Sequence, residues 1–146
     1  MSARRVPAEP RWITEHMLLA IHSQQVERYG GLHGVLDTNV ILSALARPQH
    51  RWAYDDTADW ADLAAAYLVG FARTQGFNDG NKRTALACAL VFLAINGLHF
   101  EPPAEALYAI TMGVATNRTA EPAVAAFFRE HLGPDEPASA APTDTA

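Results

Sequence analysis

The stretch Thr74–Asn96, TQGFNDGNKRTALACALVFLAIN, runs a polar, glycine-bearing loop directly into a long apolar segment. From Lys82 to Asn96 nothing interrupts a helix, and beyond its first turn the segment is apolar on every side until Asn96-Gly97 stops it. A helix apolar all round is a buried one, so this segment is expected to be the central helix of a bundle. Immediately upstream, Trp60, Leu63, Ala64, Tyr67, Leu68 and Phe71 recur at i, i+3, i+4, i+7, i+8 and i+11. That spacing predicts a second helix with one apolar face, ending near Thr74.

Working outward, Thr14 can cap a helix that runs to Tyr29 and closes at Gly30-Gly31. Asp37 can cap a short helix, TNVILSALA, ended by Pro48, where a proline interior to a helix would cost a hydrogen bond. The polar segment 47–56, RPQHRWAYDD, is then expected as a hairpin or surface flap. Pro102 and Pro103 introduce a helix through about Ala115. Pro122 introduces the last, with Val124, Phe127, Phe128 and Leu132 inward and Gly133 as its cap. The expected fold is all-α, about six helices around a buried central helix, in a single domain over residues 11–133. Residues 1–10, and the Pro/Ala/Thr-rich acidic segment 134–146, are expected to be disordered tails.

Composition bounds the function. Of 146 residues 49% are hydrophobic and 18% charged, which suits a globular domain with a real core. A formal net charge of -5 argues against direct nucleic-acid binding. Cys88 is the only cysteine, so no internal disulfide can form and a reducing compartment fits. With no membrane-length apolar run and no signal-peptide core, a cytoplasmic location is expected.

The loop looks built for an anion. A helix N-terminus presents unpaired N–H groups and partial positive charge. Lys82 and Arg83 add two cations, and Gly80 removes a side chain that would block approach to the backbone. Asp79 offers the hard oxygen that Mg²⁺ favours between protein and nucleotide phosphates. Phe77, between polar neighbours, is expected to plug into the core. The spacing is not a Walker loop, because Asn81 stands between Gly80 and Lys82. The bland alternative is an ordinary Asp/Asn/Gly turn capping a helix with two solvated cations.

The run FNDGNKRTAL resembles the signature of the Fic/Doc superfamily, His-x-Phe-x-[Asp/Glu]-[Gly/Ala]-Asn-[Gly/Lys]-Arg. It is most similar to the death-on-curing (Doc) branch, in which Lys follows Asn. Eight of nine signature positions are met, wildcards included, and the likeness extends over roughly residues 11–132. The resemblance implies an all-α Fic fold that binds ATP with Mg²⁺ at this loop. Asp79 would hold the metal, and Asn81, Lys82, Arg83 and the Gly80 backbone would hold phosphates. Enzymes of the superfamily that transfer AMP usually have Gly after Asn and a second Arg three residues beyond the first; here those positions are Lys82 and Leu86. That departure favours the Doc reaction, in which ATP lies reversed and its γ-phosphate passes to a threonine of elongation factor Tu, arresting growth. The partner implied is a small Phd-like antitoxin folded over the toxin along a groove.

Where the signature has its catalytic His, this chain has Gln75. Gln exchanges hydrogen bonds but takes no proton. Of the six histidines none lies in the motif, although His22 and His50 could approach it in space. Either the chain is a natural pseudoenzyme, or one His→Gln change has disarmed a working toxin; the completeness of the remaining cradle favours the second. Leu42, before Ser43-Ala44, replaces a Glu common in Doc-like chains and is expected to pack inward. The segment Ser23–Arg28 approaches the inhibitory pattern of many Fic enzymes but fails at its last position, and is expected to be an ordinary exposed helix turn.

Overall fold

A computed structural model describes residue 6 and residues 8–132 of the chain; the expected C-terminal tail, Gly133 and most of the first seven residues lie outside that range. Six helices follow one another: α1 (Glu15–Tyr29), α2 (Thr38–Tyr54), α3 (Trp60–Ala72), α4 (Asn81–Ile95), α5 (Ala104–Ala115) and α6 (Glu121–His131). An isolated antiparallel bridge pairs Val35 with Phe77. The all-α bundle read from the sequence is the fold. Several ends form as the local signals dictate. The Thr14 side chain accepts from the Met17 N–H, and Gly30 closes α1 at φ 88°. Asp37 caps α2 through the Val40 N–H. Asp59 and Asp62 form a reciprocal capping box at the start of α3.

Two expectations are corrected. First, α2 does not stop at Pro48 but continues to Tyr54, so residues 47–54 are helix and not a flap. Proline forfeits one backbone bond, but tertiary contacts hold the second half of α2 in place. Pro48 is itself buried, Arg47 Nη1 donates to the Ala66 carbonyl at 3.2 Å, and Trp52 meets Trp12 edge-on at 6.1 Å. Second, the helix buried all round is α3 rather than α4. Ala61 and every residue from Leu63 to Ala72 are buried, and α3 touches α2, α4, α5 and α6. Alanine-rich sides read as weakly apolar, yet small residues let neighbouring helices close in on every face. A Cβ at Gly70 would lie 3.4 Å from the Ala44 Cβ of α2.

Helix α4 buries one face, through Thr84, Ala85, Cys88, Ala89, Phe92 and Leu93. Its other side, including Leu86, Ala87 and Leu90, lines a groove toward α1 and α5. The incoming chain is fastened to the far end of the same helix. Pro10 is buried and Val6 packs on the core. Asn96 accepts from the Arg11 N–H at 2.8 Å and donates to its carbonyl at 3.0 Å. The Ile13 N–H is satisfied by the buried Tyr67 hydroxyl at 2.9 Å. Helix α1 is thereby laid against α4, and their meeting builds the site.

Candidate anion and nucleotide site

The loop between α3 and α4 is held from three sides. Phe77 is fully buried, as its position between polar neighbours predicts. Gly76 presses on α2, where an added Cβ would meet Ile41 Cγ1 at 2.5 Å, so no larger residue fits without displacing the core. The Gly76 carbonyl accepts from the N–H groups of Leu36 and Asp37 at 2.8 and 3.0 Å, and the Asn78 N–H reaches the Gly34 carbonyl at 3.1 Å. The α1–α2 connection thus lies along the loop. Asn81 staples the loop to its own helix: its Oδ1 accepts from the Phe77 N–H and its Nδ2 donates to the Phe77 carbonyl, each at 3.0 Å.

Gly80 adopts a left-handed conformation at φ 80°, ψ 17°, and supplies no side-chain cap. The first backbone bond of the helix runs from the Thr84 N–H to the Gly80 carbonyl at 2.9 Å. Among the described residues, the N–H groups of Gly80, Asn81, Lys82 and Arg83 find no acceptor. Lys82 and Arg83 are exposed beside them. Asp79 is exposed as well; its Oδ2 accepts from the Leu32 N–H at 2.7 Å, and its other oxygen is unpaired. These groups open onto a groove of about 810 Å³ whose farther walls are apolar, from Leu86 and Leu90 on α4 and Leu107 on α5.

The donor set fits a phosphate with Mg²⁺. Orphaned N–H groups beside two cations suit the anion. One half-free carboxylate suits an ion that keeps most of its waters and bridges to phosphate oxygens. No group of three or more His, Cys, Asp or Glu occurs among the described residues that could cage a metal by itself.

A sequence profile described as the Fic/DOC family matches residues 12–93. "Protein kinase doc" of Escherichia phage P1 is 40% identical over 127 residues, covering 86% of this chain and 99% of that protein. "Toxin Doc" of Mycolicibacterium smegmatis is 44% identical over 71 residues, 48% of this chain and 55% of that protein. The chain belongs to the Fic/DOC family.

Against the family signature, the structure brings Asp79, Gly80, Asn81, Lys82 and Arg83 together on the wall of one groove. Asn81 spends its side-chain carbonyl and one amide hydrogen on the Phe77 backbone, so its offering to an anion is chiefly its main-chain N–H. Gln75, the position of the family His, is exposed, and its side chain makes no hydrogen bond among the described residues. It is not among the groove-lining residues.

Neither candidate stand-in base lines the groove. His50 lines a separate cleft with Arg47, Arg51 and Glu121. His22 does reach the loop, but from inside: it is 4% exposed, and its Nε2 donates to the Asp79 carbonyl at 2.7 Å. Its ring stacks on Phe77 with centroids 3.8 Å apart and planes 10° from parallel. Glu27 pairs with His33 at 3.0 Å in an exposed turn of α1. Leu42 does not pack inward; it is 41% exposed on the outer side of α2. Sequence reading missed Tyr29, whose ring lies 4.5 Å from the Arg83 guanidinium carbon, and Tyr108, which rims the groove from α5. Both sit where an exposed aromatic is the sole local signal.

Proposed function

We propose that this chain is a Doc-type toxin of a toxin–antitoxin module. In this reading its site binds ATP with Mg²⁺, and its chemistry is transfer of the γ-phosphate to a threonine of elongation factor Tu, throttled by Gln75. The observation that carries the reading is the row of four unpartnered N–H groups, Gly80 to Arg83, flanked by Lys82, Arg83 and the half-free Asp79 carboxylate. The 40% identity to a protein named as a kinase, over nearly that protein's whole length, supports phosphoryl transfer over AMP transfer.

Mg²⁺ would supply charge neutralisation across the phosphates when bound. The chain's own residues do the rest. The N–H row and Lys82 fix the polyphosphate, and Arg83 adds a planar donor fork where charge accumulates during transfer. Asp79 would hold the metal through its free oxygen, while the Leu32 N–H holds the other oxygen in place. The apolar reach of the groove, past Leu90 and Leu107, has room for a nucleoside or for an apolar face of a Phd-like antitoxin. The acceptor hydroxyl would lose its proton to a base at position 75. Gln75 can align that hydroxyl but cannot take the proton, which leaves positioning in place and costs about 10²–10⁴ in rate.

Gln75→His tests the reading. The substituted chain should add one phosphate to elongation factor Tu in the presence of ATP-Mg²⁺, seen as a mass increase, and should arrest growth when expressed without an antitoxin. Recovery should be on the order of a hundredfold or more. Addition of AMP instead would show nucleotidyl transfer. Absence of any modification would favour a non-catalytic module that holds nucleotide or antitoxin, a reading that the groove's lack of a lining histidine also supports.

A further inference from the structure

His22 lies outside the family signature, yet four observations converge on it. It is 4% exposed. Its Nε2 is 2.7 Å from the Asp79 carbonyl oxygen. Its ring lies flat on Phe77 at 3.8 Å. A Cβ at Gly80 would come within 3.7 Å of its Nε2 and Cδ2. A carbonyl only accepts, so the His22 Nε2 carries the hydrogen of this bond. A ring so enclosed does not reach a substrate hydroxyl, which removes it as a substitute base.

We infer that His22 is a positioning residue for anion binding, aiming the Gly80 N–H into the groove by holding the Asp79 carbonyl behind the loop; the inference rests on the reading that the groove takes phosphate. The peptide bond joining Asp79 to Gly80 is planar and trans, as are all the described bonds, so its carbonyl and its N–H point in opposite directions. The carbonyl points inward to α1. The Gly80 N–H therefore points outward, as the first donor of the row. The left-handed φ of Gly80 makes this peptide plane easy to flip, because glycine tolerates both signs of φ. Flipped, it would present a carbonyl lone pair to the anion in place of a hydrogen. The His22 bond selects between the two orientations, and the Phe77 stack fixes the imidazole that makes it.

Titration of the ¹⁵N-labelled full chain tests this, with inorganic pyrophosphate plus Mg²⁺ as the probe and ATP-Mg²⁺ in parallel. His22→Gln keeps a donor near the Nε2 position. His22→Phe keeps a ring to stack and removes the donor. The Gly80 amide should shift strongly on titrating the original chain and the Gln variant, with affinities within about threefold of each other. The Phe variant should bind on the order of tenfold more weakly, the loss expected for one hydrogen bond to a charged group. Equal affinity in the Phe variant overturns the inference, as does equal weakening in both variants or a Gly80 amide that pyrophosphate leaves unmoved. Should the Phe variant not fold, the imidazole ¹⁵N shifts of the original chain decide: the Nε2–H tautomer upholds the inference and the Nδ1–H tautomer refutes it. Pyrophosphate binding without ATP binding would remove the nucleotide reading and leave the role of His22 standing.

Discussion

The Arg83 side chain makes no hydrogen bond or ion pair with any described residue, and its guanidinium carbon lies 4.5 Å from the centre of the Tyr29 ring. Tyr29 is 54% exposed, so this is a surface cation–π contact, worth about 0.5–1 kcal/mol. The contact keeps a long, flexible side chain beside the groove, and under the proposed function it lowers the ordering cost of binding an anion. Tyr29→Ala should weaken ATP-Mg²⁺ binding about two- to fivefold, and Tyr29→Phe should leave it nearly unchanged, because the ring and not the hydroxyl faces the cation. Calorimetry distinguishes these outcomes, with the double change Lys82→Ala and Arg83→Ala as the reference for losing both cations. A Phe variant as weak as the Ala variant would move the effect from the ring to the hydroxyl.

At the scale of elements, α6 is fastened to α3 by a buried carboxylate. Arg129 donates to both oxygens of Asp59, at 2.7 and 3.1 Å, and to Asp62 at 3.1 Å. The same cluster reaches α2, where Arg51 lies 3.6 Å from Asp62 and Arg47 pairs with Glu121 at 2.8 Å. It explains why α2 outlives its proline. Burial works against a charge on Asp59, but the Arg129 guanidinium and the Asp62 N–H outweigh it and hold the carboxyl below its ordinary value. A lowered carboxylate contributes stability that is present above the ordinary value near 3.8 and lost as pH falls through the folded value. Asp62 acts in the opposite sense, raised by burial and by the neighbouring Asp59 charge. Arg129 is 44% exposed, so Arg129→Met should cost only about 1–3 kcal/mol near neutral pH. Denaturant melts should show the gap between the two proteins shrinking below about pH 4, as Asp59 takes its proton. A gap that widens on acidification would mean that Arg129 pairs with Asp59 too weakly to matter.

For the whole molecule, Cys88 is a built-in reporter. It sits fully buried on the α4 face that packs against α3, and burial pushes its thiol up to about 12. Its thiolate is therefore scarce and inaccessible in the folded state, so a disulfide reagent at mildly alkaline pH should label it only when the bundle opens. A ligand that binds only the folded chain slows that opening by mass action. At a concentration about a hundred times its Kd, ATP-Mg²⁺ should slow labelling about a hundredfold. Labelling as fast as that of a free thiol would place Cys88 in a locally opening segment. No helix among the described residues is long and apolar enough to cross a membrane.

Sequence alone determined those features whose causes are local. Thr14, Asp37 and Gly30 bound helices because capping satisfies backbone groups within a few residues, and the prolines before α5 and in the first turn of α6 act over the same range. The candidate anion site was legible for a like reason: unpaired N–H groups are a property of any helix start, and the glycine, carboxylate and cations lie in one run, Asp79–Arg83. Tertiary structure decided what depends on partners distant in the chain. Whether Pro48 ends α2 was settled by Arg47, Arg51 and the helices they reach, and whether α3 or α4 is central by how closely neighbours approach alanines. His22 meets the Asp79 carbonyl across 57 positions of sequence, and no periodicity in α1 announces that contact. A hydrogen-bond donor on a helix face reads the same whether it turns to water or to a backbone carbonyl. Only the packing of α1 against α4 chooses.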